Sequence, residues 1–173
     1  ELSFGDEPNV HTCPVCLALP GVLPVPNRTA FEYALKIGAA LGCDLPEVST
    51  FDRKNYFYPD NPKAYQITQA VNPFAVNGKL GDVRIHHAHL EEDAAKTIHT
   101  GGSGRISGSD SSEVDFNRGG TPLVEIVTEP DLRSGGQVRE WGQLLRATIK
   151  QLGVSDVNME EGSLRCDANV SIR

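Results

Sequence analysis

Apolar and polar residues alternate with a period of two in three stretches of the chain and with helical spacing in two others. Val83, Ile85, His87 and His89 alternate with Arg84, His86, Ala88 and Leu90, the pattern of a half-buried strand. In the stretch 121–130, Leu123, Glu125 and Val127 share one face of a strand while Val124 and Ile126 share the other. With both faces apolar, Glu125 reads as a partly buried carboxylate that needs a partner or a metal. Leu164, Cys166, Ala168, Val170 and Ile172 form the expected core face of a third strand, with Arg165, Asp167, Asn169, Ser171 and Arg173 opposite. Asn27 caps a predicted helix that runs to about Cys43, carries Phe31, Ala34, Leu35, Gly38 and Leu41 as its apolar stripe, and stops at Gly42. Ser134 opens a second helix with Val138, Trp141, Leu145, Ile149 and Leu152 at helical spacing, closed by Gly153. Asn77-Gly78 signals a tight hairpin whose second strand leads into Val83.

The remaining segments are less regular. Residues 1–26 are loop-rich, broken by Pro8, Pro14, Pro20, Pro24 and Pro26, and are set apart from 27–173. Residues 101–112 are mostly Gly and Ser and read as a mobile loop. Neither stretch matches a phosphate-binding glycine motif, since no GxxxxGK[ST] occurs and the glycines lack the βα spacing of a dinucleotide fold.

At 173 residues the chain suffices for one domain with a real core. No run of 18 apolar residues is present, so no membrane partner is expected. Four cysteines do not make a secreted disulfide framework, and a reducing cytoplasm is the expected location. The net charge of −7 argues against binding nucleic acid by bulk attraction, so any such contact must be local. A chain that starts at Glu1 and ends within a strand at Arg173 reads as an internal piece of a longer protein.

The chemistry concentrates at His86-His87-Ala88-His89-Leu90-Glu91-Glu92-Asp93-Ala94-Ala95-Lys96. Like charges about 4 Å apart cost roughly 4 kcal/mol at an effective dielectric near 20. Three adjacent acids must therefore be solvated, paired with cations, or bound to a divalent metal. Residues 51–66 interleave Phe51, Tyr56, Phe57, Tyr58 and Tyr65 with Arg53, Lys54 and Lys63, a composition suited to phosphates and a stacked base, or to a strand edge rimmed by tyrosines. Cys13-Pro14-Val15-Cys16 is half of a zinc ribbon, with His11 a candidate third ligand, or else a pair of reduced cysteines.

FDRKNYFYPDNPKAYQ, HLEEDAAK, DFNRGGTPLVEIVTEPD and GVSDVNMEEGSLRCDANVSIR together resemble the B-subunit family of the bacterial tRNA-dependent amidotransferases, and the resemblance runs from about Phe4 to Arg173. It implies an α+β cradle domain of the glutamine synthetase type, an antiparallel sheet with flanking helices. It implies that ATP and Mg2+ activate the side-chain carboxylate of Glu-tRNA(Gln) or Asp-tRNA(Asn). Ammonia, released from glutamine by a glutaminase-type A subunit, would then arrive through a channel and displace the phosphate. The implied assembly is completed by a small C subunit.

Mapped by motif, Glu92, Glu125 and Asp167 are the expected Mg2+ and catalytic carboxylates, with Glu91, Asp93 and Lys96 beside them. Arg53, Lys54, Lys63 and Arg118 are the expected ATP-binding cations, and Arg165 a catalytic one. In zinc-bearing members Cys13 and Cys16 would join a Cys-x-Cys pair, which here would lie before Glu1, as would a Gly-Leu-Glu-x-His strand that contributes to the metal site. His87 stands where an arginine is usual, which makes that cation pH-dependent. Two other classes remain open: a zinc-ribbon RNA-binding module without catalysis, and a glutamine synthetase-like ligase acting on a free amino acid.

Overall fold

The computed structural model describes residues 5–101 and 107–172. Helix α1 spans Arg28–Ala40, where the Asn27 side chain accepts a hydrogen bond from the Ala30 N–H. Helix α2 spans Gly135–Leu152, capped by the Ser134 hydroxyl and ended by Gly153 in the left-handed conformation. Among the described residues, seven strands accompany them: β1 (Asp52–Asn55), β2 (Tyr65–Thr68), β3 (Ala75–Leu80), β4 (Val83–Glu92), β5 (Lys96–Thr100), β6 (Ser111–Asp115) and β7 (Pro122–Thr128). All pairings are antiparallel, giving a central sheet in the order β3-β4-β7 and two hairpins, β1-β2 and β5-β6. Antiparallel sheets with two packed helices make this an α+β fold.

Both helices cover one face of the central sheet. Ala34 of α1 packs with Phe74, Ala75, Ala88 and Leu90, while Ile37 and Leu41 pack with Ile85, Val157 and Ile149 of α2. These contacts require β4 to change parity. Val83 and Ile85 are buried, and so are Ala88 and Leu90, although an even and an odd position of an uninterrupted strand face opposite ways. A bulge resolves the conflict: the register of β4 against β7 shifts between Ile85 and His87. Full burial of Ile85 or Leu90 stabilises by about 1.5–3 kcal/mol each. A ladder hydrogen bond lost at a bulge costs about 0.5–1.5 kcal/mol. Core burial therefore wins. The bulge also sends His87, His89 and Glu91 to the face away from the helices, so the single alternation read from Val83 to Leu90 is in fact two half-strands of opposite phase.

The Asn77-Gly78 signal is the other half of this device, and not a hairpin turn. Asn77, at φ 55°, lies inside β3 between the Val76–His87 and Gly78–Ile85 pairs, opposite the bulge. The left-handed preference of Asn is used for a kink in the strand. Gly78 is required by crowding, since a Cβ there would lie 2.3 Å from Cys43 Sγ and 2.8 Å from the Leu41 carbonyl. The β3–β4 turn itself is Gly81-Asp82, with Gly81 at φ 59°.

The third expected strand does not form. Residues 164–172 pair with no strand among the described residues; Val170 and Ile172 are 87% and 96% exposed, and Cys166 is exposed. Only Leu164 packs, against the α2-side core. Alternation gives a segment two faces, but burying one needs a neighbouring sheet edge, and here no edge reaches it. Gly101 and residues 107–112 of the Gly/Ser stretch lead into β6, and the rest of that stretch lies outside the described residues, as does Arg173.

Candidate functional site

Past the bulge, β4 and β7 set His89 directly opposite Glu125. Residues paired across a sheet share a face, and Glu91 shares it by being two residues from His89. His89 Nε2 lies 3.3 Å from Glu91 Oε2 and 3.5 Å from Glu125 Oε2. One ligand atom from each of the three falls within 4.8 Å of the others, the one such cluster of His, Cys, Asp and Glu among the described residues. His89 and Glu91 are nearly buried, whereas the Glu125 side chain is 53% exposed. Glu125 is thus not the partly buried carboxylate expected, because the β7 face carrying it is the one turned away from the helices.

The β1-β2 hairpin closes over the end of β4. The Thr68 hydroxyl donates to Glu91 Oε2 at 3.3 Å. Burial pushes the Glu91 carboxyl up, but the hydrogen bond and charge of His89, with Lys54 and Thr68, outweigh it and hold it below the ordinary range. Along the same face, the His87 and His89 rings stack with centroids 5.2 Å apart at 23°. Burial, and then the neighbouring imidazoles of His89 and His86, push His87 below its ordinary value.

Glu92 points the other way. Its carboxylate takes an ion pair from Lys63 at 2.9 Å and a hydrogen bond from the Ile67 N–H at 3.0 Å, with both charged side chains nearly buried. Asp93 is a hub: Arg165 lies 2.8 Å and Arg118 3.5 Å from its carboxylate, and Arg118 also donates to the Ala94 and Ala95 carbonyls. Arg53 lies over the Tyr65 ring at 4.8 Å. Lys96 is exposed on β5, and Asp167 is exposed in the unpaired segment. Of the expected carboxylates, the structure brings Glu125 together with the expected neighbour Glu91. It places Glu92 in a separate ion pair and Asp167 outside both. Of the expected cations, Lys54 adds positive charge that helps hold the Glu91 carboxyl down, while Lys63, Arg118 and Arg165 are committed to acids of this chain.

A cavity of about 240 Å³ on the Glu92 side is lined by Cys13, Cys16, Asp60, Lys63, Glu92 and Asp93. The two thiols lie 3.2 Å apart. The Cys16 N–H and thiol hold Cys13 below the ordinary thiol range, and burial pushes Cys16 above it. They offer two of the four ligands of a structural zinc, but no third ligand joins them among the described residues. His11 is not that ligand: its Nε2 pairs with Asp6 at 2.9 Å, and its N–H donates to Asn117.

The residue that sequence reasoning placed in the run but not in the site is His89. The signal for it was the i, i+2 spacing of His89 and Glu91 on a strand. Reading that signal needs the β4–β7 register, which local pattern does not give.

A family model described as the GatB/GatE catalytic domain matches residues 1–173. The chain belongs to this family. Among curated relatives, the B subunit of the aspartyl/glutamyl-tRNA(Asn/Gln) amidotransferase of Persephonella marina is 52% identical over 181 residues, covering 100% of this chain and 36% of the relative. The corresponding B subunits of Frankia casuarinae and Brevibacillus brevis are 54% and 53% identical, over 99% and 98% of this chain and 36% of each relative. This GatB/GatE-family chain thus spans little more than a third of the relatives it matches. Among its described residues, no helix is long and apolar enough to cross a membrane.

Proposed function

We propose that this chain forms part of the carboxylate-activating site of an ATP-dependent tRNA amidotransferase, with a divalent cation held on the sheet face by Glu91, Glu125 and His89. The carrying observation is the convergence of one ligand atom each from His89, Glu91 and Glu125 within 4.8 Å, with His89 Nε2 at 3.3 Å and 3.5 Å from the two carboxylates. Two carboxylates in reach of one ion suit Mg2+, and the imidazole suits Mn2+ or Zn2+ equally.

The substrate is the side-chain carboxylate of Glu-tRNA(Gln) or Asp-tRNA(Asn). Its oxygen attacks the γ-phosphorus of ATP, ADP leaves, and an acyl phosphate results. Ammonia, released from glutamine by a glutaminase-type A subunit held with a small C subunit, then attacks the acyl carbon and expels phosphate. The products are Gln-tRNA(Gln) or Asn-tRNA(Asn), so the enzyme is a ligase forming a carbon–nitrogen bond with glutamine as amide donor. Both reactants of the first step are anionic, and a bound Mg2+ supplies the charge that lets them approach. Glu91, ionised and hydrogen-bonded by Thr68, keeps the ligand set in place. Lys54 offers a cation on the same side. The Lys63–Glu92 and Asp93–Arg118–Arg165 pairs fix the end of β4, so that His89 and Glu91 are held on a rigid element. Zinc enters this reading as a structural ion, with Cys13 and Cys16 giving two ligands and the other two coming from outside the described residues.

The test uses the full-length protein assembled with its partner subunits and measures tRNA-dependent ATP hydrolysis and amide formation. Glu125→Gln is expected to lower both by about 10²–10³, the cost of removing one electrostatic group from such a site. A module that only binds RNA through a zinc ribbon predicts no ATP hydrolysis to lose. A small-molecule ligase predicts amidation of free glutamate without tRNA. Unchanged ATP hydrolysis in the variant assigns Glu125 a structural role and contradicts this reading.

A further inference from the structure

A histidine that ligates a metal almost always donates its other ring N–H to a carboxylate or carbonyl, and that bond fixes the plane of the ring. His89 lacks this support. Its Nδ1 is buried and has no hydrogen-bond partner among the described residues, while Nε2 faces Glu91 and Glu125. Something else must hold the ring.

The structure offers one candidate on the same face. The His87 ring lies nearly parallel to that of His89, with centroids 5.2 Å apart at 23°. His87 is itself held, because its Nδ1 lies 2.7 Å from His86 Nδ1 with the two rings edge-on at 76°. Adjacent residues of a regular strand point to opposite faces and do not meet in this way. They meet here because the bulge between Ile85 and His87 re-aims them. We infer that His87 is a positioning residue: anchored by His86 at the bulge, its ring stacks on His89 and sets the imidazole plane that turns Nε2 toward Glu91 and Glu125. The core thus dictates the bulge, the bulge couples His86 to His87, and the stack replaces the missing Nδ1 hydrogen bond. The inference rests on the metal reading of the cluster, so its test must separate the two.

Metal-free full-length protein is titrated with Mn2+ and followed by electron paramagnetic resonance, with spin-echo modulation reporting nitrogen coupling from a coordinated imidazole. Wild type is expected to show that coupling and His89→Ala to lose it. His87→Ala should weaken Mn2+ binding by about 10–100-fold, the usual effect of removing an outer support, and should reduce the nitrogen coupling. His87→Phe, which keeps a stacked ring but loses the nitrogen that meets His86, should recover both in part, to about the level of His86→Ala. Thermal melts of each variant exclude unfolding. If His87→Ala does not fold, His86→Ala carries the test, since freeing the His87 ring should give the same two losses in smaller measure.

Full affinity and full coupling in His87→Ala overturn the positioning role while leaving the metal site intact. A His87→Phe that recovers nothing relative to His87→Ala also overturns it, because stacking is then not the cause. A wild type that shows no coupling, with His89→Ala binding equally well, overturns the metal site and the positioning role together.

Discussion

Adjacent acids on one strand do unlike work here. Glu91 faces His89, Glu125 and Thr68, while Glu92 faces Lys63 and the Ile67 N–H. The sequence displays both as one acidic run, and only the strand phase after the bulge separates them. Glu91 carries a pH prediction. Its folded carboxyl is held below its ordinary value despite burial, so its ionised form contributes stability that is complete above the unfolded value and lost as pH falls through the folded one. Replacing it with Gln should therefore destabilise at pH 7 and make progressively less difference in acid. Denaturant unfolding of wild type and Glu91→Gln at pH 7 and pH 3 checks this. A destabilisation that stays constant across that range contradicts the assignment of the charged form.

Helix α2 was legible from end to end and α1 from its cap, because caps and 3.6-residue spacing are local, but α1 ends at Ala40, short of the expected Cys43. Asn27, Ser134 and Gly153 stand where the chain needs a side-chain acceptor or a left-handed residue. The strands β4 and β7 were legible as strands but not in phase. Asn77-Gly78 announces a left-handed residue correctly, yet whether that residue turns a hairpin or kinks a strand depends on what packs against it. The neighbours of Gly78 are Cys43 and Leu41, far away in sequence, so no short window shows them. Gly78→Ala should cost about 1–3 kcal/mol, because the Leu41 carbonyl it meets is backbone and yields little. Asn77→Ala should cost about 1–2 kcal/mol for the left-handed conformation alone. Chemical denaturation of the two variants measures both. Wild-type stability in Gly78→Ala would mean that the close approach of β3 to the end of α1 is not tight.

At the scale of the molecule, the loop-rich start of the chain is stitched to the Phe116–Arg118 turn. Asn9 exchanges hydrogen bonds with Asp115, Val114 and Phe116, and buried Asn117 donates to the Glu7 carbonyl while accepting from the His11 N–H. None of this was visible in a pattern of prolines. Asn117→Ala removes two of these bonds at once, and the expected result is faster protease cleavage within residues 5–20 with α1 and α2 intact. Cleavage at the wild-type rate would show that the remaining contacts suffice. At the far end, Arg165 reaches Asp93, but the segment beyond it finds no sheet edge, which is why the alternation at 164–172 predicted a strand that the described residues do not form.

The sheet face after the bulge is where the proposed chemistry stands or falls, and one titration tests it. Mn2+ binding to metal-free full-length protein is compared among wild type, Glu91→Gln, Glu125→Gln and Glu92→Gln. Glu91→Gln and Glu125→Gln should each weaken binding by at least about tenfold, whereas Glu92→Gln, on the opposite face with Lys63, should bind as wild type does. If Glu92→Gln loses the ion and Glu91→Gln keeps it, the cation belongs on the helix-side face and the site assigned here is wrong.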